Sequence, residues 1–599
     1  MTLTMEAAPP REDQRRGPTN RRVTKHRIAL AALLVGSAFL FLWNLTASGY
    51  GNEFYAAATQ AGSQSWKALL FGSLDPGNVI TVDKPPVFLW VSGLFARVFG
   101  FSSWTVLAPQ AIEGVLAVWV LYATVKRTSG EWAGLFAGAA LALTPVATLM
   151  FRFNLPDALL VLLMTVAAYC TVRALEKASW RWLALAGVAI GFGFLTKMMQ
   201  AFLVLPGLAA VYLLAAPTGL GKRFLHLLGA GIAVIVSAGW FIALVDLWPA
   251  SSRPYIGGSN NNGLWELAVG YNGLGRIFGG GGPGGGMGGN GNIGFGGATG
   301  ITRLFGASMG AEISWLLPAA LIGLIAGLWF TRRGGRIDRT RAALVLWGGW
   351  LVVSGVVFSF MSGITHPYYT VALAPAISAL VAISGRELWR GRAHFPARVA
   401  LTVMVAFTGV WGFILLARVP DWQPWVRWTL LVLTALVTFA LLFGVKRSAF
   451  IGAIVAAALF GTSAYSFATA AQTHAGSIPM SGPVQSGMGM RGGPGGAVSS
   501  SELNALLAQT DTQWAAATTG AQSAAALQLG SGRPVIAIGG WNGGDPAPTL
   551  EEFQRYVSEG KIGYFVSGRG GSDIADWVSA HFKAVSVGGQ MVYDLDAGS

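Results

Sequence analysis

The chain of 599 residues holds a single cysteine, Cys170, and only 11% of its residues are charged. One thiol forms no internal disulfide and no thiolate cage, so neither device staples the fold. Histidine is scarce as well: six, at 26, 226, 366, 394, 474 and 581, none in HxxxH or HxxE spacing. A zinc site built on histidine is therefore not expected. Soluble globular chains carry about twice this charged fraction. What fills the space is apolar: 53% of residues are hydrophobic and the mean hydropathy is +0.54. That balance excludes a disordered chain, a collagen-like repeat and an ordinary cytosolic enzyme, and makes lipid the solvent for much of the surface. The formal net charge is +15. Its lysines and arginines lie between apolar runs rather than on one soluble face, so nucleic acid is not the partner.

Thirteen apolar segments approach the length of about 20 residues that crosses a bilayer core: 28–49, 104–125, 132–151, 156–174, 182–196, 199–216, 227–248, 311–331, 342–361, 369–385, 399–417, 427–445 and 449–471. Segment 86–100 is apolar but short, opens on Pro85-Pro86, and reads as an interfacial or re-entrant helix. With the N-terminus inside, the inner segments carry 25 Lys and Arg, the outer loops before residue 472 carry 10, and the C-terminal tail 6. This bias predicts a plasma-membrane protein with a cytoplasmic N-terminus and an extracytoplasmic C-terminus. Residues 1–27 read as a basic cytoplasmic tail before a first span, not as a cleaved signal peptide.

The expected fold is thus mostly α: a polytopic membrane domain over 28–471, followed by a flexible linker (472–500) and a small extracytoplasmic α/β domain (501–599). Two large outer loops interrupt the spans, 50–103 and 249–310. The second contains a glycine-rich run, 279–300, expected to be mobile. It is not a phosphate loop, since no Gly-Lys-Ser/Thr follows it. In the last domain, 501–508 and 549–558 read as helices and 533–540, 562–568, 582–587 and 591–595 as strands. With one histidine, His581, and no nucleophile motif, that domain reads as a packing or docking module.

Charges near lipid are expensive, so the acids at the outer ends of spans are the candidates for chemistry. Glu53 follows the first span in SGYGNEFYAAATQ; Asp83 stands beside Lys84 in DPGNVITVDKPP; Asp157 ends RFNLPD at the mouth of the fourth span. Each also has a plain structural reading: a solvated loop acid, an acid paired to its neighbouring lysine, and a helix-start charge favoured by the helix dipole. Lys67, Arg152, Lys197, Arg253, Arg276 and Arg303 are further cations on this side. His366-Pro367-Tyr368-Tyr369 opens the tenth span, where an aromatic belt competes with phosphate or sugar binding.

An acid just past the first span, an acid-Lys-Pro-Pro motif, Asn-x-Pro-Asp at the fourth span, Thr196-Lys197 ending the fifth and HPYY at the tenth together resemble the family-39-type glycosyltransferases of the GT-C fold. That family includes protein O-mannosyltransferases and the aminoarabinose transferase of lipid A. The resemblance covers about 28–470. The glycine-rich loop and tail domain are similar to a bacterial mannosyltransferase-like subgroup. The resemblance implies an inverting transferase that moves a mannose-like or pentose sugar from a polyprenyl-phosphate donor to an extracytoplasmic acceptor hydroxyl on protein, lipid or glycan. It implies Glu53 as general base, with Asp83 the alternative, because the family's first-loop Asp-Glu reads Asn52-Glu53 here. Lys84 becomes a phosphate ligand, joined by Arg152, Lys197, His366 and Tyr368, with Asp157 and Asp83 supporting. A divalent metal held by the carboxylates stays open; no nucleotide cofactor is expected. The rival reading is a transporter or lipid flippase, which would place its ionisable residues at mid-membrane and show internal repeats.

Overall fold

The computed structural model describes residues 19–270, 273, 275, 295–444, 450–483, 499–541, 543–568 and 571–596. Among them, ten helices are long and apolar enough to cross a membrane. Their length follows from the apolar runs, since 20 residues at 1.5 Å each span about 30 Å of hydrocarbon. Exposed side chains such as Val35, Leu228, Ile235, Val432 and Phe439 form the lipid-facing surface. The segment Pro367–Arg390 is buried almost all round and forms the centre, while Trp347 and Trp350 fill the space beside it.

The expected segments all have helical counterparts, but four differ from a plain span. The fifth and sixth form one element, Trp180–Ala215, interrupted by a 3-10 stretch at Met198–Val204. The eighth shortens to Leu317–Phe330. The third, 132–151, breaks into Glu131–Ala142 and Pro145–Met150, because Pro145 has no N–H to continue the ladder. The carbonyl of Leu143 at that break accepts hydrogen bonds from Thr462 Oγ1 at 2.6 Å and Ser466 Oγ at 2.8 Å, both on the Phe450–Ala471 helix. Freed backbone groups in lipid require such partners. The first helix begins at Thr19, eight residues inside the expected tail. Segment 86–100 forms the helix Val87–Phe99. Most of the glycine-rich run lies outside the described residues.

The C-terminal domain is a five-stranded sheet of order β2-β1-β3-β5-β4, with β1 Trp514–Thr519, β2 Val535–Ile538, β3 Ile562–Val566, β4 Ala584–Val587 and β5 Gln590–Asp594. β1 pairs in parallel with β2 and β3, while β5 runs antiparallel to β3 and β4. The interior strand β1, and the helices Ala521–Ser531 and Asp573–His581, are absent from the sequence reading. WAAATT has no alternation to betray a strand, since all six of its residues are buried.

This domain sits on the first loop of the membrane domain. Trp514 Nε1 donates to Asp75 Oδ1 at 2.8 Å, and Gln528 Nε2 donates to the carbonyls of Ala57 and Leu74 at 3.2 and 3.0 Å. The start of the expected linker is also engaged: Gly476 N donates to Gly51 O at 3.1 Å, and Ser481 N to Glu312 Oε1 at 2.8 Å.

Candidate active site

Asp83 and Lys84 end a short extended segment laced on both sides. Leu74 N donates to Ile80 O and Val82 N to Gly72 O, each at 2.9 Å, while Thr81 N donates to Tyr255 O at 2.9 Å. Pro85 and Pro86 then turn the chain into the Val87–Phe99 helix. The two side chains are thereby held against each other, Lys84 Nζ at 2.7 Å from Asp83 Oδ2, and both are only 8% exposed. Tyr55 Oη, from the Glu53–Gln64 helix, donates to Asp83 Oδ1 at 3.2 Å. Burial first, and then the Asp83 charge, hold the Tyr55 phenol well above its usual range, so it stays a donor.

The second acid–lysine pair joins two distant helices. Asp157 opens the Asp157–Lys177 helix and is fully buried. Lys197, the last residue of Trp180–Lys197, places Nζ 2.6 and 2.7 Å from the two carboxylate oxygens. The following residue, Met198, turns the chain with φ +49°, a conformation non-glycine residues adopt at a cost. Lys197 also lies over the Tyr369 ring, 4.0 Å from its centroid, and 5.3 Å from that of Tyr368. Lys84 is close enough for its charge to act on Asp157. Lys84 and Lys197 open into one cleft of about 520 Å³, its mouth included, with Gln200 and Tyr369 as polar neighbours and Met199, Leu203, Val357 and Met361 as apolar wall.

Glu53 stands at the first position of its helix, whose start is fixed by Asn154 of the NLPD motif. Asn52 N donates to Asn154 Oδ1 and Asn154 Nδ2 to Asn52 O, both at 2.8 Å. Gly51 is obligatory there: its φ is +65°, and a Cβ would lie 2.5 Å from Asn154 Oδ1. The Glu53 side chain reaches solvent, yet partial desolvation raises its carboxyl above the usual range. Among the described residues it makes no hydrogen bond or ion pair.

Tertiary structure thus gathers Asp83, Lys84, Asp157, Lys197 and Tyr368; Glu53 is linked to them only along its helix, two positions before Tyr55. It does not gather the rest. Arg152 gives its guanidinium to the carbonyls of Leu40 at 2.7 Å, Phe41 at 3.1 Å and Ala470 at 3.0 Å. It ties the first membrane helix to the last, and these carbonyls are its partners in place of the expected phosphate contact. His366 stacks on Tyr368 with 5.3 Å between centroids and meets Tyr369 edge-on at 5.2 Å; it backs the tyrosines and does not line the cleft. Lys67 donates to Ser252 O, Arg253 to Asn262, and Arg303 to the carbonyls of Gly296, Phe358 and Met361. Arg276 lies outside the described residues.

The open metal expectation can be weighed on the donors. Among the described residues no three His, Cys, Asp or Glu side chains converge. The two buried acids each face a lysine ammonium, which repels a cation. These donors do not fit a divalent metal, and no step below passes through one.

The sequence reading missed Tyr55, Asn154, Gln200 and Tyr369. Two signals were present: Asn154 and Tyr369 belong to motifs already singled out for a neighbouring residue. It also missed Asp545 of the C-terminal domain. That carboxylate, 8% exposed, accepts from Gly258 N at 3.2 and 3.0 Å. Burial is the main cause that pushes it up to about 6, with nearby Asp83 adding to the rise.

The family described as "Dolichyl-phosphate-mannose-protein mannosyltransferase" matches residues 83–242, and the C-terminal domain described as "Putative mannosyltransferase YkcB-like, C-terminal" matches 503–581. The Bacillus subtilis (strain 168) protein "Putative mannosyltransferase YycA" is 32% identical, over 93% of this chain and 94% of its own. "Putative mannosyltransferase YkcB" of the same organism is also 32% identical, over 93% and 92%. The chain belongs to the YycA–YkcB mannosyltransferase family. Its fold is shared with ArnT from Cupriavidus metallidurans. Bound to undecaprenyl phosphate, that protein superposes with a TM-score of 0.56 at 16% identity, covering 96% of this chain and 98% of ArnT. The apo form gives 0.54. As a YycA–YkcB family member this chain is a multi-pass membrane glycosyltransferase of the GT-C fold with a small C-terminal sheet domain. Neither the fold nor the relatives support the transporter alternative.

Proposed function

We propose that the chain transfers a sugar, mannose-like or pentose, from a polyprenyl-phosphate donor to an acceptor hydroxyl on the extracytoplasmic side of the plasma membrane. The observation that carries this is the cleft. Two ammonium groups, Lys84 and Lys197, face a narrow space whose remaining wall is mostly apolar, with Gln200 and Tyr369 as its other polar groups. A phosphate on an isoprenoid matches both halves of that lining, since charge-assisted contacts suit the phosphate and apolar surface suits the tail. The relatives' names and the undecaprenyl phosphate bound to ArnT support the same chemistry.

In the step itself, the acceptor oxygen attacks the anomeric carbon as the bond from that carbon to the phosphate oxygen breaks. The bonding pair leaves with the phosphate, where Lys84 and Lys197 stabilise the growing negative charge. The acceptor proton passes to a carboxylate. Asp83 is already engaged by Lys84 and Tyr55, whereas Glu53 is open to solvent, so Glu53 takes the role of general base. A single displacement inverts the anomeric configuration. Protein, lipid and glycan hydroxyls all remain candidate acceptors.

The test uses purified protein with undecaprenyl-phosphate mannose in detergent. Lys84→Ala and Lys197→Ala are expected to abolish transfer; full activity in both overturns the reading. The orientation is tested by protease added to spheroplasts, which is expected to sever residues 501–599 from the membrane part, as read on a denaturing gel. Protection until the membrane is opened overturns the extracytoplasmic placement.

A further inference from the structure

A transferase that displaces in line needs two approaches to the anomeric carbon, one for the leaving phosphate and one for the acceptor. The cleft of Lys84 and Lys197 serves the first. The other side of Asp83 is bounded by three segments that meet there. The 72–83 loop and residues 255–258 are joined by Thr81 N to Tyr255 O at 2.9 Å and by Gly257 N to Thr81 Oγ1 at 3.0 Å. The third segment is the 539–545 turn of the C-terminal domain. Asp545 holds it to Gly258, and the Trp541 ring meets Phe54, the residue after Glu53, edge-on at 4.7 Å.

The turn is shaped for close approach. Gly540 has φ +62°, and a Cβ there would lie 2.1 Å from Asp545 Oδ2 and 2.9 Å from Ile80 Cδ1. Docking alone does not account for Asp545. Trp514 and Gln528 already hold the domain.

We propose that the C-terminal domain is a working part of the transfer site: Asp545 positions the loop that carries Asp83, and Trp541, packed on the buried Phe54, sets the domain beside Glu53 as the wall of the acceptor side. This rests on the transfer reading above. Asp545 is a positioning residue, acting through Gly258 and Thr81.

The test measures KM for donor and acceptor separately in the full-length protein. Undecaprenyl-phosphate mannose is the donor, and octyl mannoside and a Ser/Thr peptide are the two acceptor probes. Asp545→Ala and Trp541→Ala are expected to raise KM for the probe the parent protein uses by about tenfold or more, with donor KM unchanged within about twofold. Asp545→Asn, which keeps an oxygen for Gly258 N, is expected to recover at least half of the loss. An unchanged acceptor KM, or a parallel rise in both constants, overturns the proposal.

A second measurement does not depend on transfer. A protease site placed between residues 483 and 499 is cut, and the fragments are passed through gel filtration. A domain held by its own interface stays with the membrane part, as expected here; one that dissociates cannot form a wall, and overturns the proposal. If the parent protein transfers to neither probe, the transfer reading falls, and the cleavage result alone decides the placement.

Discussion

Lys197 reaches back 40 positions along the chain to hold both oxygens of Asp157, at 2.6 and 2.7 Å. The pair is buried, bridges the ends of two membrane helices, and places the ammonium over Tyr369 at the head of the cleft. On the proposed reading, stability and phosphate binding share one side chain, and variants can separate them.

Lys197→Met leaves Asp157 buried without its counter-charge. Breaking such a pair costs about 3–5 kcal/mol, so a marked fall in thermal midpoint and complete loss of transfer are expected. Asp157→Leu combined with Lys197→Met removes both charges and is expected to restore most of the stability and none of the transfer. Thermal denaturation in detergent beside a transfer assay checks both halves.

Arg152→Ala is expected to act on stability alone. It strips three carbonyls at the ends of the first and last membrane helices of their donor. A charged hydrogen bond contributes about 1.5–3 kcal/mol, so the melting point falls while the donor KM of the folded fraction stays unchanged. A raised donor KM would return Arg152 to the phosphate.

Glu53→Gln is expected to lower kcat by about 10²–10⁴, the usual contribution of a general base, with an unchanged melting point because the side chain is open to solvent. A base must be deprotonated to act. Since desolvation raises the Glu53 carboxyl, transfer by the parent protein is expected to fall on acidification at a pH above the ordinary glutamate value of about 4.3. A pH–rate profile checks this.

Gly51→Ala forces a side chain into a left-handed backbone position and against Asn154 Oδ1, 2.5 Å away. The strain is on the order of 1–3 kcal/mol, and the start of the Glu53 helix must shift. A larger loss in kcat than in stability is expected, and Asn154→Ala in the Gly51→Ala background is expected to recover part of it.

Lipid as solvent, the helical class and the motifs at the span ends were all legible in the sequence, because bilayer thickness and charge cost act on local stretches of chain. Asp83 and Lys84 could be paired from their adjacency. Thr196-Lys197 and NLPD were visible as motifs, but not as partners, since an ion pair across 40 residues is decided by how two helix ends pack. Arg152 shows the converse: a lone arginine beside a span looks the same whether it meets a phosphate or three carbonyls, and only the neighbouring helix ends separate the cases. The C-terminal domain was recognisable as α/β, yet its strand β1, buried on both faces, carried no alternating pattern. That Asp545 and Trp541 stand beside the membrane-side acids follows from docking two surfaces far apart in the chain. Local sequence dictates what each segment is; long-range packing alone decides which polar groups are left facing one another.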